Sequence, residues 1–243
     1  VNNVPRGNSL ISSDIFMLVT EWKIAGRPRQ GGIDWKLKDW LIAFPEHEAS
    51  LTELKKMNFG LLDRKFVRSV VHAFLKNNQL ELAFLVTLIW GYGDRGYGRF
   101  RAKELLRQKK LSESLKDCTS ALNTNDTNRA FKSLIETGAD GLGSSFGTKF
   151  LYFAAKDDVS PRPIILDRLV LDAIQKWGVY PRKKFITIDS EKYLKMTREF
   201  HEAANFYKIE SDELEEILFS RVQKDGNSGS WSVEPRGNSS QRA

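Results

Sequence analysis

Two side chains of opposite charge, Lys149 and Asp167, stand eighteen positions apart in the sequence and can act together in one reaction. A lysine amine that has lost its proton is a nucleophile and can form an imine with a carbon of a substrate. A carboxylate nearby can stabilise positive charge that develops while a bond breaks. Each residue also has a structural interpretation: Asp167 precedes an apolar helix pattern and is a candidate N-cap, and Lys149 is a candidate phosphate contact.

The segment around this pair predicts a helix, a hairpin, a second helix and a loop. Residues 128–138 have an apolar helical pattern that stops at Gly138. A glycine-containing hairpin is predicted at residues 143–149, followed by a short apolar helix at 150–156 and an extended loop, after which Asp167 begins another helix. Backbone N–H groups at such a turn and at a helix N-terminus can bind a phosphate.

These residues resemble the core motif of the helix–hairpin–helix DNA glycosylase superfamily, and most of all its 8-oxoguanine DNA glycosylase-like branch. In that superfamily the hairpin reads roughly L-P-G-V-G-x-K, and an aspartate follows at a distance like the one seen here. Gly147, Thr148, Lys149 and Asp167 match position by position. Ser145 stands where the first hairpin glycine is usual, and a serine replaces the proline before it.

The resemblance implies an all-α fold of two helical lobes, with the helix–hairpin–helix motif and a DNA-binding cleft between them. It implies that the protein flips an altered base out of double-stranded DNA and excises it. Lys149 would then attack the sugar and give abasic-site lyase activity, and Asp167 would stabilise the charged sugar. The hairpin residues expected to contact DNA are Ser145, Phe146, Gly147 and Thr148.

A second unusual stretch, residues 90–101, contains four glycines, four aromatic residues and three arginines. Aromatic side chains can stack on bases and arginines can hold phosphates. We therefore expect Arg95, Tyr97 and Arg99 to face DNA, as a wedge or as the wall of a pocket for an extruded base. The alternative is an aromatic turn that packs into the interface between the lobes.

Composition limits the classes of partner and cofactor. The 243 residues carry a formal net charge of +7, which favours a polyanionic partner. The single cysteine, Cys118, excludes an internal disulfide and a four-cysteine iron–sulfur cluster, and the three histidines lack metal-ligand spacing. We expect no metal and no cofactor, with a monovalent cation at the hairpin as the one candidate ion. With no apolar run of membrane-spanning length and no secretory signal, the sequence predicts a cytoplasmic protein, nucleoid-associated in a prokaryote.

The helical patterns divide the chain into four parts. Residues 1–9 are predicted to be a flexible N-terminus, residues 10–122 a helical lobe, residues 123–224 the helix–hairpin–helix region with the C-terminal helices, and residues 225–243 a disordered tail. The clearest helices are predicted at Arg64–Lys76, 81–90, 166–177 and Ser190–Tyr207. We expect a monomer.

Three alternative functions remain open from sequence. The first is a monofunctional glycosylase that excises a bulky modified base of the phage type. The second is a non-catalytic helix–hairpin–helix DNA-binding module, which would not need Lys149 and Asp167 at their observed spacing. The third is a helical protein–protein scaffold, which would not need the positive net charge.

Overall fold

The structure, a computed structural model, describes residues 10–94, 96–177, 179 and 188–225. Within these residues the regular structure is helical, and an isolated antiparallel bridge joins Ile33 to Leu62. The predicted all-α fold is confirmed. None of the helices in the described part of the chain is long and apolar enough to cross a membrane. The α-helices are α1 (Ser13–Ile24), α2 (Leu37–Ala43), α3 (Glu48–Lys56), α4 (Arg64–Lys76), α5 (Leu80–Tyr92), α6 (Gly98–Leu106), α7 (Lys109–Asn123), α8 (Thr127–Phe131), α9 (Ser144–Ala154), α10 (Arg168–Lys176), α11 (Ser190–Tyr207) and α12 (Ser211–Asp225).

Local signals account for the bounds of several helices. The Asp63 carboxylate accepts a hydrogen bond from Phe66 N at 2.8 Å and caps α4, while Asp189 caps α11. Both helices have the bounds that the sequence predicts, because caps and a 3.6-residue apolar repeat are local features. Helix α12 reaches Asp225, one residue into the predicted tail; the rest of that tail and the predicted flexible residues 1–9 lie outside the described residues.

Helix α5 is the centre of the packing. Residues 82–90 are all buried, and α4, α6, α7 and α9 pack against this helix. Two edge-on ring pairs fasten α9 to α5: Phe84 with Phe150, whose centroids are 5.4 Å apart, and Trp90 with Phe153, at 5.0 Å. A helix that is apolar on all sides is stable only when it is surrounded in this way, and α9 therefore lies on a rigid support.

Helix α12 packs against α10, α11 and α1. The Tyr207 hydroxyl donates to Leu10 O at 2.9 Å and accepts from Ser12 N at 3.0 Å. Lys23 Nζ donates to Tyr207 O at 2.6 Å. The first helix of the described residues is thus attached to the last two, and α12 lies beside the helix that follows Asp167.

The chain reversal before α9 lies earlier than the hairpin predicted from sequence. Helix α8 continues into a π-helical turn, Lys132–Glu136, and the chain then reverses through residues 137–143 before α9 begins at Ser144. Gly141 supplies the left-handed conformation of this reversal, with φ 81°. The prediction of a hairpin at 143–149 was wrong. Several glycines lie in this region, and the one that takes the left-handed conformation, Gly141, precedes the predicted hairpin. The residues that are helical instead are Ser145, Phe146, Gly147 and Thr148.

Candidate active site

The structure brings Lys149 and Asp167 together. Lys149 Nζ lies 3.3 Å from Asp167 Oδ2 and also donates to Ser145 O at 3.2 Å and to Ser145 Oγ at 3.3 Å. Only 8% of the Lys149 side chain and 14% of the Asp167 side chain are exposed. The amine is therefore held among three oxygen atoms in a nearly closed site that keeps a narrow access to solvent.

Lys149 belongs to the second turn of α9, and aromatic rings line its surroundings. Its ammonium lies 5.5 Å from the centre of the Phe146 ring, and that ring packs on Tyr92 with centroids 4.2 Å apart. Phe146 also lies directly over Gly91, where a methyl group would come within 2.5 Å of the ring. The first residues of the glycine- and aromatic-rich stretch at 90–101 thus form one wall of the site.

Asp167 uses its two carboxylate oxygens for two different contacts. Oδ1 accepts hydrogen bonds from Leu169 N at 3.1 Å and from Val170 N at 3.2 Å, which makes Asp167 the N-cap of α10. Oδ2 faces Lys149. The positive end of the helix dipole and the ammonium both attract the negative charge of this carboxylate. The cap therefore holds the residue in place while leaving one oxygen directed into the site.

A buried hydrogen bond aligns α9 with the start of α10. Thr148 Oγ1 accepts from Leu166 N at 3.0 Å, and the two residues are the immediate neighbours of Lys149 and Asp167. Side chains of other helices hold the rest of the loop at 155–166. They include Arg68, His72, Thr127, Tyr193 and His201, which bond the main-chain oxygens of Ala155, Pro161, Ile164 and Arg162. The separation of Lys149 from Asp167 is thus set by a fixed loop.

A lysine on one helix that meets the N-capping aspartate of the next helix is the arrangement implied by the resemblance. The chain matches the protein-family model described as "Putative 8-oxoguanine DNA glycosylase OGG-like protein" over residues 26–219, well over half of its length. The chain belongs to this OGG-like family. No curated protein and no solved structure matches the chain. Membership in the OGG-like family gives the protein a DNA glycosylase role, with DNA as its substrate.

The three residues of the 90–101 stretch predicted to contact DNA differ in their positions. Tyr97 is 73% exposed and packs loosely on Phe100, with ring centroids 6.2 Å apart. Arg99 forms an ion pair with Asp39 at 3.6 Å, and 20% of its side chain is exposed. Arg95 lies outside the described residues. Contact of these residues with DNA stays a prediction, and Tyr97 is the one that the structure presents to solvent.

Sequence analysis missed a cluster of mostly buried charges near the site. This ion cluster contains Arg29, Arg64, Asp212, Glu213, Glu215 and Glu216. Arg64 forms a bidentate pair with Glu215, at 2.5 and 3.2 Å, and a further ion pair with Glu216 at 3.2 Å. In the sequence, residues 211–216 are typical of a capped helix start, and nothing local indicates that their partners lie far away in the chain.

The ion cluster and the site influence each other electrostatically. Burial raises the pKa of Glu215 to about 7, against the opposing effect of the Arg64 guanidinium. The negative charges of Asp167 and Glu216 raise this pKa further. Desolvation outweighs the ion pair here because Glu215 is fully buried, and loss of water disfavours its charged form. Glu215 is therefore a second acid near Asp167 whose charge changes close to neutral pH.

Proposed function

We propose that the protein excises a damaged base from double-stranded DNA with Lys149 as nucleophile, and then cleaves the abasic strand as a lyase. The 3.3 Å approach of Lys149 Nζ to Asp167 Oδ2 in a nearly closed site carries this proposal. A lysine used only to bind a phosphate would be expected on the exposed surface, with its charge directed to solvent. A buried lysine beside one carboxylate is a better candidate for covalent catalysis.

The proposed reaction begins with the loss of a proton from Lys149, to Asp167 or to the departing base. The neutral amine attacks C1′ as the glycosidic bond breaks, and the base leaves with both electrons of that bond and takes up a proton. The Asp167 carboxylate stabilises the positive charge that spreads over C1′ and the ring oxygen. Opening of the sugar ring gives an imine at C1′, and loss of a C2′ proton then expels the 3′ phosphate.

The proposed DNA surface lies around the N-terminal turn of α9. The first N–H groups of a helix have no partners within the helix, and α9 begins at Ser144, just beside the site. We propose that these groups and the exposed Tyr97 contact the strand that carries the altered base. We also propose that this strand lies between the 10–122 lobe and the 123–224 region. These are the two parts into which the helical patterns of the sequence divide this portion of the chain.

The proposed substrate is a duplex that contains 8-oxoguanine, since this is the base named in the family's description. In the proposed mechanism the attacking group and the charge at the sugar are the same for any excised base. A panel of duplexes with single lesions and modified bases, including bulky ones, followed by alkali cleavage of abasic sites, identifies the base that is removed.

The nucleophile is tested by borohydride trapping on the 8-oxoguanine duplex and on the panel. If Lys149 forms the imine, borohydride added during turnover reduces it to a stable protein–DNA adduct. We expect an adduct and strand nicking with the wild-type protein. Lys149→Gln should bind the same duplex but give neither, while Lys132→Gln, which replaces an exposed lysine before the hairpin, should behave as wild type.

Two results would contradict the proposal in different ways. Base excision without any trapped adduct would assign the attack to water and leave Lys149 as a positioning residue in a monofunctional enzyme. An adduct that persists in Lys149→Gln would assign the imine to another amine.

A further inference from the structure

A groove that the proposed reaction does not use opens between the C-terminal parts of α4, α7 and α9. It has a volume of about 760 Å³. The end of α4, the start of α5 and the second half of α7 supply most of its walls, and the end of α9 closes one side. Lys149 and Asp167 are not among its lining residues. Its volume suits a small molecule rather than a single ion.

Three lysines line this groove: Lys76 at the end of α4, Lys116 on α7 and Lys156 after α9. All three are exposed, and none of them forms an ion pair or a side-chain hydrogen bond with another residue of the described part of the chain. The lining residues include no carboxylate. Positive charges that share a concave surface repel one another and focus a positive potential in it. The groove therefore favours an anion.

Carboxylates that follow two of these lysines in the chain do not neutralise the groove. Asp117 follows Lys116 and Asp157 follows Lys156, but neither aspartate lines it. Asp157 instead pairs with Arg68 at 2.9 Å and with Arg162 at 3.8 Å. The lysine charges thus stay available to a ligand.

Part of the wall is apolar. Leu75, Leu80 and Ala154 line the groove beside the lysines. Leu75 and Leu80 pack against the core but are only partly buried. A flat ring that covers them would remove this apolar surface from water, which favours binding. The groove therefore matches a ligand that has both an anionic part and a ring.

The polar groups of α7 add both kinds of hydrogen-bonding partner. The hydroxyls of Thr119 and Thr124 donate to main-chain oxygens of α7, at 2.9 and 3.0 Å. Since their protons are used within the helix, these hydroxyls offer lone pairs to a ligand. Ser120 and Asn123 also line the groove, and they bring a hydroxyl and an amide that can donate. A ligand with sugar hydroxyls and phosphate oxygens would use both.

From these observations we propose that the groove binds a free nucleotide. Its phosphates lie against the three lysines, its base covers the apolar wall at Leu75 and Leu80, and its sugar lies beside α7. A phosphate alone would leave the apolar wall exposed, and an uncharged nucleoside would leave the lysines without a counterion. A nucleotide satisfies both parts of the groove at once.

The position of the groove favours a free nucleotide over a DNA strand. Helix α9 spans 11 residues, so its two ends are about 15 Å apart. The proposed DNA surface lies at its N-terminal turn and the groove at its other end, and residues 147–154 between them are all buried. The bases of a duplex are also stacked inside the helix and cannot cover the apolar wall. The inference does not depend on the proposed base excision.

Isothermal titration calorimetry of the full chain tests the proposal with ADP, pyrophosphate and adenosine, without divalent cations. ADP should bind. Pyrophosphate should bind roughly tenfold or more weakly, because it lacks the ring that covers the apolar wall, and adenosine should give no measurable binding. Bound ADP should also raise the melting temperature, since it binds only the folded state.

Two variants locate the ADP in the groove. The triple variant Lys76→Gln, Lys116→Gln, Lys156→Gln should bind ADP roughly tenfold or more weakly, because it lacks the three charge-assisted contacts. Ser120→Trp fills the groove without a change of charge and should also lose binding. The matched control replaces three exposed lysines outside the groove with glutamine and should bind ADP as the wild type does; these are Lys38, Lys65 and Lys109.

Four results would overturn the proposal. Absence of ADP binding by the wild type would exclude a nucleotide site, and equal affinity for pyrophosphate and ADP would reduce the ligand to its phosphates. Equal losses in the triple variant and its matched control would show attraction by net charge alone. A triple variant that keeps its affinity for ADP but binds duplex DNA more weakly than the control would assign the lysines to DNA.

Discussion

Asp167 shows how one side chain can be both a structural cap and a reacting group. Its Oδ1 atom accepts two main-chain N–H groups of α10, and its Oδ2 atom faces Lys149. The structural and chemical interpretations of this residue are therefore compatible. They can be separated experimentally, because an amide keeps the capping oxygen and loses the charge.

We expect Asp167→Asn to fold and to bind DNA nearly as the wild type does, since asparagine is as good an N-cap as aspartate. Base excision should fall by about two or more orders of magnitude, because the charge that stabilises the developing positive sugar is missing. Single-turnover excision with excess enzyme measures this rate. Asp189→Asn is the matched control: it changes the cap of α11 in the same way, away from the site. An Asp167→Asn protein that excises at the wild-type rate would show that the residue is only a cap.

At the scale of elements, the site depends on how the loop at 155–166 joins α9 to α10. Thr148 is fully buried, and its hydroxyl is the acceptor for Leu166 N. This bond lies one residue from both members of the proposed catalytic pair. Its loss should therefore affect stability and the alignment of the pair together.

We expect Thr148→Val, which keeps the shape but removes the acceptor, to lower the free energy of unfolding by about 1–3 kcal/mol, because the buried Leu166 N–H is left without a partner. Borohydride trapping should slow in parallel, while Thr148→Ser should recover most of the trapping rate. Thr119→Val is the control, since the Thr119 hydroxyl bonds only within its own helix. Trapping at the wild-type rate in a destabilised Thr148→Val protein would show that this bond does not position the pair.

The elements also show what the sequence can and cannot predict. The bounds of α4 and α11 were predicted correctly because the apolar repeats lie within the helices and the capping aspartates directly precede them. The approach of Lys149 to Asp167 was predicted through the resemblance. The position of the hairpin was not predicted correctly. Three glycines lie at 138–143, and the sequence does not show that Gly141 is the one with the left-handed conformation.

At the scale of the whole molecule, the ion cluster joins distant parts of the chain beneath the site. Arg29 and Arg64 come from the first third of the sequence, and their carboxylate partners lie on α12. The Arg64 guanidinium also lies 5.5 Å from the Trp90 ring and 5.4 Å from the Tyr152 ring. These contacts attach α12 to α4, α5 and α9, the helices that support Lys149.

The pH dependence of stability follows from Glu215. Its pKa in the folded protein is about 7, above the ordinary value of 4.5, so the folded state binds a proton more tightly than the unfolded state. Between these two values the contribution of Glu215 to stability decreases as the pH rises. Arg64 limits this loss, because its charge opposes the effect of burial on the ionised carboxylate.

Replacing Arg64 with Met should therefore destabilise the protein in a pH-dependent way. At pH 8 Glu215 and Glu216 would be buried charges without this partner, and we expect a loss of about 3–5 kcal/mol in the free energy of unfolding. At pH 5 Glu215 is protonated in both proteins, so the loss should be smaller. Urea unfolding at the two pH values measures the difference, with Arg107→Met, at an exposed ion pair with Glu104, as a control that should change little. An equal loss at both pH values would show that Glu215 does not change its charge in this range, and no loss at either would show that the ion cluster does not hold α12 in place.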